Sequence, residues 1–284
     1  VERLLAAYLG FTTLLGLGRL PAQPAIAWVL LANALIALLI ILLQRKDLGP
    51  FGRVMREIYP VVLLAALYPA IDILNRFGAV TVHDQLVRAW EHRLFGGDLS
   101  REWWQRQPSV LWSTVLHAAY FAYYPIIVAP VAVFLTQRRQ AETERTVAWL
   151  LAAFLACYTG FLLFPVAGPY YEFPRPAAWF IDNGPARLVY ATLARGSAYG
   201  AAFPSSHVAA TLVATFAAFR GSRVLGALLI LPAALLTIGV VYCQMHYGVD
   251  AVAGLVVGAI VVAIGSWREA QRGADRDPSR PAPR

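Results

Sequence analysis

The feature that most constrains this chain is its series of long apolar runs. About eight of them reach roughly 16–26 residues, near the length a helix needs to cross a bilayer. They cover 4–20, 25–43, 57–75, 110–135, 146–165, 203–219, 224–242 and 247–267. A soluble domain would carry roughly a quarter charged residues. Here 14% of the 284 residues are charged and 59% are hydrophobic, and the mean hydropathy is +0.57. The expected fold is therefore an all-α polytopic membrane bundle with no large soluble domain. Pro69, Pro125, Pro130 and Pro232 fall inside spans, where neighbouring groups must satisfy the carbonyls they free. The first run has no basic leader and no clear small-residue cleavage site, so it reads as a retained span.

The connectors set an expected orientation. Short basic loops contain Arg45, Lys46, Arg53 and Arg56, then Arg138, Arg139 and Arg145, then Arg220 and Arg223, and a basic tail starts at Arg268. With eight spans these fall on one side, which the distribution of positive charge assigns to the cytoplasm. Two connectors are too long for turns. Segment 81–107 mixes charges with Trp90, Trp103 and Trp104 and is expected at the membrane interface, with the tryptophans at headgroup depth. Segment 166–202, rich in Gly, Pro and aromatics, is expected to form a lid or site wall. The tail 270–284 has the composition of a disordered segment.

Against this apolar background two polar motifs stand out, both on the face opposite the basic loops. The first is Phe203-Pro204-Ser205-Ser206-His207. Pro204 suits the first turn of a helix, whose free N–H groups would form an anion site. Ser205 and Ser206 add hydroxyl donors for a substrate, and His207 adds a titratable proton. The second motif is His246-Tyr247-Gly248-Val249-Asp250. Four residues apart, His246 and Asp250 share a helix face if the last span begins near His246. Asp250 could then hold one imidazole nitrogen protonated and leave the other free as a nucleophile or base. An ionisable pair at the edge of a span is costly, which makes it a functional hypothesis.

Together the motifs resemble the type 2 phosphatidic acid phosphatase superfamily of membrane lipid phosphatases and phosphotransferases. Pro204-Ser205-Ser206-His207 matches the family's Pro-Ser-x-His signature, and His246 to Asp250 matches its closing His-x-x-x-Asp. The resemblance implies a six-helix catalytic core over 57–267, behind two extra spans in 1–45. It also implies that His246 attacks phosphorus to form a phosphohistidine, that Asp250 supports His246 and that His207 protonates the leaving oxygen. The substrate would be a lipid or prenyl phosphate, and no metal or other cofactor is implied. The site would lie on the exoplasmic face of an inner or plasma membrane.

The chain also departs from the family. Where the last signature carries Ser-Arg, this chain has Gly239-Val240. Where the first signature carries a lysine, it has Gly168, although Arg175-Pro176 matches the later Arg-Pro. Arg175, Arg187 and Arg195 are candidates for the thinned phosphate clamp, Arg175 foremost, since arginine suits bidentate phosphate contacts. Phe164-Pro165-Val166-Ala167-Gly168-Pro169-Tyr170, the first motif and His246-Tyr247 together look like the inositol phosphorylceramide synthase-like branch. That branch transfers a headgroup to an alcohol. A non-enzymatic lipid transporter or scaffold is the competing class, motivated by the thinned clamp.

Other constellations carry less. Cys157 and Cys243 offer neither a disulfide framework nor a metal spacing. His83, Asp84, Glu91 and His92 do not share one helix face. His117, beside Tyr120, Tyr123 and Tyr124, is expected to make a buried hydrogen bond to a neighbouring helix. The net charge of +8 belongs to basic loops flanking spans, not to a nucleic-acid surface.

Overall fold

Runs such as Ile26-Ala27-Trp28-Val29-Leu30-Leu31 offer no polar stripe, so the helices they form are apolar all round, as expected for helices in lipid. The computed structural model describes residues 1–44, 49–76 and 78–275. Its helices are α1 (Glu2–Arg19), α2 (Ile26–Leu43), α3 (Gly49–Leu74), α4 (Asp84–Phe95), α5 (Leu99–Arg106), α6 (Val110–Phe121), α7 (Tyr123–Thr136), α8 (Gln140–Leu163), α9 (Pro169–Glu172), α10 (Ala178–Ile181), α11 (Gly184–Gly196), α12 (Ser206–Gly221), α13 (Arg223–Tyr242) and α14 (Gly248–Asp275). Among the described residues the only bridge of β type is an isolated one, between Val166 and Ala201.

Helices occupy all eight predicted span positions. Among the described residues six segments are long and apolar enough to cross a membrane: Ile26–Leu43, Phe51–Leu74, Val110–Thr136, Gln140–Leu163, Arg223–Tyr242 and Gly248–Gln271. α1 and the 16-residue α12 are not among them. α12 is instead the centre of the bundle, packed against α7, α8, α13 and α14. Leu31, Leu35, Leu38 and Leu42 on α2 are exposed, whereas Val29, Asn33, Ile36 and Ile40 face inward. Exposed apolar faces of this kind need a lipid solvent. Asn33 on α2 donates to the hydroxyls of Thr12 and Thr13 on α1, both at 3.0 Å, a polar clamp for two otherwise greasy helices.

The predicted 110–135 span is two helices that meet at Ala122. Pro125 follows directly; it has no N–H to return to the carbonyl of Phe121, which breaks the ladder there. α12 and α14 cross closely because Gly254 and Gly258 make a small-xxx-small face. A Cβ on Gly254 would lie 2.5 Å from the Ser205 carbonyl oxygen, and one on Gly258 would lie 3.0 Å from that of Ala209.

Three expectations change. Pro204 does not sit in the first turn of α12: Ser205 is the N-cap and Pro204 precedes it. Segment 81–107 is not simply interfacial: Trp104 is buried and its indole donates to Gln244 Oε1 at 3.1 Å, so α4 and α5 close the end of the bundle. α14 continues through Asp275, so the first part of the predicted tail is helical, while 276–284 lie outside the described residues. Arg45 and Lys46 also lie outside them.

Candidate active site

Both histidine motifs meet where α12 and α14 begin. The Ser205 N–H donates to the Asp250 carbonyl oxygen at 3.0 Å, which ties the two motifs together. The rings of His207 and His246 then lie 5.5 Å apart, edge to face.

His246 precedes the first turn of α14, and its backbone N–H is held by the Val240 carbonyl at 2.8 Å. Its Nδ1 lies 3.0 Å from the Ala202 carbonyl oxygen and 3.4 Å from Asp250 Oδ2. A carbonyl only accepts, so Nδ1 carries the proton and Nε2 keeps its lone pair. Asp250 is fully buried, and its Oδ2 also accepts from the Tyr247 N–H at 2.9 Å. The predicted pair is thus in contact, and its other partners fix its geometry.

His207, half-buried, is held by ring packing instead. Tyr120 stacks on it at 4.9 Å and Tyr123 lies 4.4 Å away. These tyrosines flank the break at Ala122, so the interrupted helix builds the wall beside His207. His207 Nδ1 has no hydrogen-bond partner among the described residues.

The other predicted residues are placed less centrally. Ser205 is buried, and its hydroxyl accepts from the Val208 N–H at 3.4 Å, so it serves as the helix cap. Ser206 is buried in the first turn of α12. Arg175 is exposed in the long loop, its guanidinium carbon 5.6 Å from the centre of the Tyr190 ring. Arg187 turns to Asp182 at 3.7 Å, and Arg195 is exposed at the end of α11. Of the clamp candidates, only Arg175 stands over an aromatic ring of the wall.

Several residues that organise the site were not singled out as such by sequence. Asp84 is buried and accepts from Ala167 N at 2.8 Å, Gly168 N at 2.7 Å and the Tyr247 hydroxyl at 3.0 Å. It joins the long loop to the residue beside His246. Burial and the neighbouring Asp84 raise the Tyr247 hydroxyl far above its ordinary range, so it remains a proton donor. Glu91 is also buried; it accepts from Val249 N at 3.1 Å and Ser100 N at 3.3 Å. Burial pushes its carboxyl upward while these N–H groups oppose the shift. Asp98 moves the other way, because the Arg88 guanidinium, 2.8 Å away, favours its charged form. His83 stacks on Phe164 and His92 lies 3.1 Å from Asp98, so His83, Asp84, Glu91 and His92 have separate partners. Gln244, with φ +60°, bridges Trp104 and the Pro174 carbonyl.

The two departures from the signatures have local causes. Gly168 has φ +89°, and a Cβ there would lie 2.7 Å from that of Ala202. A lysine at this position would be strained and would collide. A Cβ on Gly239 would lie 2.8 Å from the Leu116 carbonyl oxygen, and Val240 is fully buried.

The termini of α12 and α14 also differ in charge. The N-terminus of α14 is satisfied by the carboxylates of Glu91 and Asp250. α12 has only the neutral Ser205 cap and no acidic residue in its first turn. A helix N-terminus without its own carboxylate favours an external anion.

A family model described as the PAP2 superfamily matches residues 86–264, from α4 into α14. No curated protein and no solved structure matches the chain.

Proposed function

The chain belongs to the PAP2 superfamily and is an integral membrane protein of phosphatase type, and on that premise we propose that it cleaves a lipid or prenyl phosphate through a phosphohistidine at His246. One arrangement supports this reading above the others: Nδ1 of His246 is engaged by the Ala202 carbonyl and Asp250, with the His207 ring 5.5 Å away. That leaves Nε2 as the nucleophile.

In this mechanism Nε2 attacks phosphorus as the bond to the leaving oxygen breaks, and His207 gives that oxygen its proton. Asp250 stabilises the positive charge that develops on His246. Water then attacks the phosphohistidine, the P–N bond breaks, and His207 takes the water's proton. The N-terminus of α12 stabilises the phosphoryl oxygens, with Ser206 in its first turn, and Arg175 meets the headgroup at the loop. Ser205 acts by holding α12 against α14. The site opens to the exoplasmic side, because Arg138, Arg139, Arg220 and Arg223 gather at the opposite end of the bundle.

The test is turnover by purified protein in detergent against phosphatidic acid, prenyl phosphates and diphosphates, and phosphatidylinositol with and without an added ceramide or diacylglycerol. Phosphate release that disappears in His246→Ala is the expected result. Activity retained by folded His246→Ala protein defeats the mechanism. A new lipid that forms only with the added alcohol would replace water by that alcohol as acceptor. Silence of the whole panel favours the transporter or scaffold class.

A further inference from the structure

A cavity of about 660 Å³ lies at the site end of the bundle, between the last turn of α1, the connector that leaves α3 and the end of α8. Its size falls within the roughly 300–1,000 Å³ of ordinary ligand sites. No residue of either histidine motif lines it. Pro165 does, and its carbonyl accepts from the His83 N–H at 2.8 Å. The next residue, Val166, accepts from the Ala202 N–H at 2.9 Å, and Ala202 in turn accepts from His246 Nδ1. The cavity thus adjoins the site through one shared segment, and the mechanism gives it no task.

Its polar lining points to an anion with a donor beside it. Arg19 and Gln23 both line the cavity, one turn apart, joined by the bond from the Gln23 N–H to the Arg19 carbonyl at 3.1 Å. Arg19 is half-buried, and its Nη1 donates to the Leu74 carbonyl at 2.8 Å, which holds the guanidinium in place. No aspartate or glutamate lines the cavity, so that positive charge has no counterion there. Gln23 is 7% exposed, and its Oε1 is buried with no partner among the described residues. A buried amide oxygen left so calls for a donor. The rim is apolar: Leu163 lines the cavity and is 65% exposed, and Leu17, next to Gly18, is 53% exposed. Acyl chains leaving the cavity would meet apolar surface there.

We infer that this cavity is a second lipid site, which holds the phosphate diester of a phospholipid that is not the substrate. Arg19 meets the phosphate, and Gln23 Oε1 accepts from an N–H or O–H of the adjacent headgroup. The guanidinium N–H groups not used on Leu74 suit phosphate oxygens. The occupant is held rather than cleaved, because neither His207 nor His246 lines the cavity. A headgroup without a donor, such as phosphocholine, leaves Gln23 unpaired, and a buried unpaired acceptor discriminates against such a ligand.

The test reads binding to the full-length protein in detergent by calorimetric titration. The probes are dihexanoyl phosphatidylethanolamine, dihexanoyl phosphatidylcholine and glycerophosphoethanolamine, which has no acyl chains. The wild type should bind the ethanolamine lipid about tenfold more tightly than the choline lipid. Gln23→Leu should erase that ratio, and Arg19→Ala should weaken both lipids about tenfold. Gly18→Trp, at a lining position with no neighbour within 4 Å, puts bulk into the cavity while keeping Arg19 and Gln23, and should abolish binding of both lipids. Should Arg19→Ala or Gln23→Leu not fold, Gly18→Trp decides. Glycerophosphoethanolamine should bind about tenfold more weakly than its lipid; equal binding makes the ligand a soluble phosphodiester and overturns the lipid assignment. No binding, no preference between the two lipids in the wild type, or binding that survives Gly18→Trp overturns the inference. The expected binding in a protein that turns over no lipid phosphate defeats the enzyme reading alone, and turnover without this binding defeats this inference alone.

Discussion

The two ends of the bundle solve the same problem with opposite charge. At the site end, backbone N–H groups are satisfied by buried carboxylates: Glu91 and Asp250 on the start of α14, and Asp84 on Ala167 and Gly168. At the other end, arginines donate to helix carbonyls: Arg56 to Leu43 and Arg139 to Gly221, both at 2.8 Å. The direction of the helices sets the sign, since N-termini favour anions and C-termini favour cations. Arg19 shows that direction rather than location decides: it lies at the site end, yet donates to Leu74, where α3 finishes. The site end thus commits its own anions to backbone and leaves the N-terminus of α12 under a neutral cap.

The difference can be probed from both sides. The largest effect should come from the reacting histidines: His246→Ala and His207→Ala should each lower turnover on the order of 10⁴-fold or more and leave the unfolding temperature near that of wild type. Turnover and thermal unfolding on the same samples check this. Next is Asp84→Ala, which leaves two N–H groups and a tyrosine hydroxyl unpaired. It should cost about 3 kcal/mol of stability and lower activity with it, as read from unfolding in detergent. A cost no larger than that of a surface substitution would remove Asp84 from this account. Gly254→Leu should then cost about 1–3 kcal/mol, because it forces α12 from α14, and it should depress turnover more than Gly10→Leu, where no neighbour stands within 4 Å.

At the basic end, Arg139→Ala should cost only about 0.5–1 kcal/mol, with turnover unchanged. The smallest effect belongs to Arg88 and Asp98. The Asp98 carboxyl is held below its ordinary value of 3.8, so the pair's contribution is fully present above that pH and is lost as pH falls through the lowered value. Arg88 is partly exposed, which limits the loss to under about 1 kcal/mol. Unfolding measured between pH 5 and pH 2.5 should show this slope in wild type and not in Asp98→Asn.

Much of the fold, and the meeting of the two polar motifs, was legible in sequence, because polar residues are conspicuous inside apolar runs. His207, His246 and Asp250 stand out this way, and the apolar lengths between them bring them to one end. The supports were illegible for a different reason. Asp84 meets its backbone partners 83 and 84 residues away, and nothing local distinguishes it from an ordinary helix-start aspartate. Trp104 looked interfacial because tryptophans commonly are; its partner Gln244 lies 140 positions away. α12 read as one apolar span among others; its place at the centre, against α7, α8, α13 and α14, is visible only in three dimensions. His117 was legible as a buried, hydrogen-bonded histidine, but its 2.8 Å bond runs to the Ser113 carbonyl of its own helix rather than to a neighbouring one.

The hydrogen bond from Ser205 to the Asp250 carbonyl has a consequence for how this fold can be altered. It welds the two histidine motifs into one unit whose spacing does not depend on the loop above it. The arch from 169 to 197 can therefore be exchanged, lengthened or recoloured in charge while the chemistry beneath keeps its alignment. That makes the arch the place to re-engineer what the site accepts, and the helix pair the part to carry over unchanged.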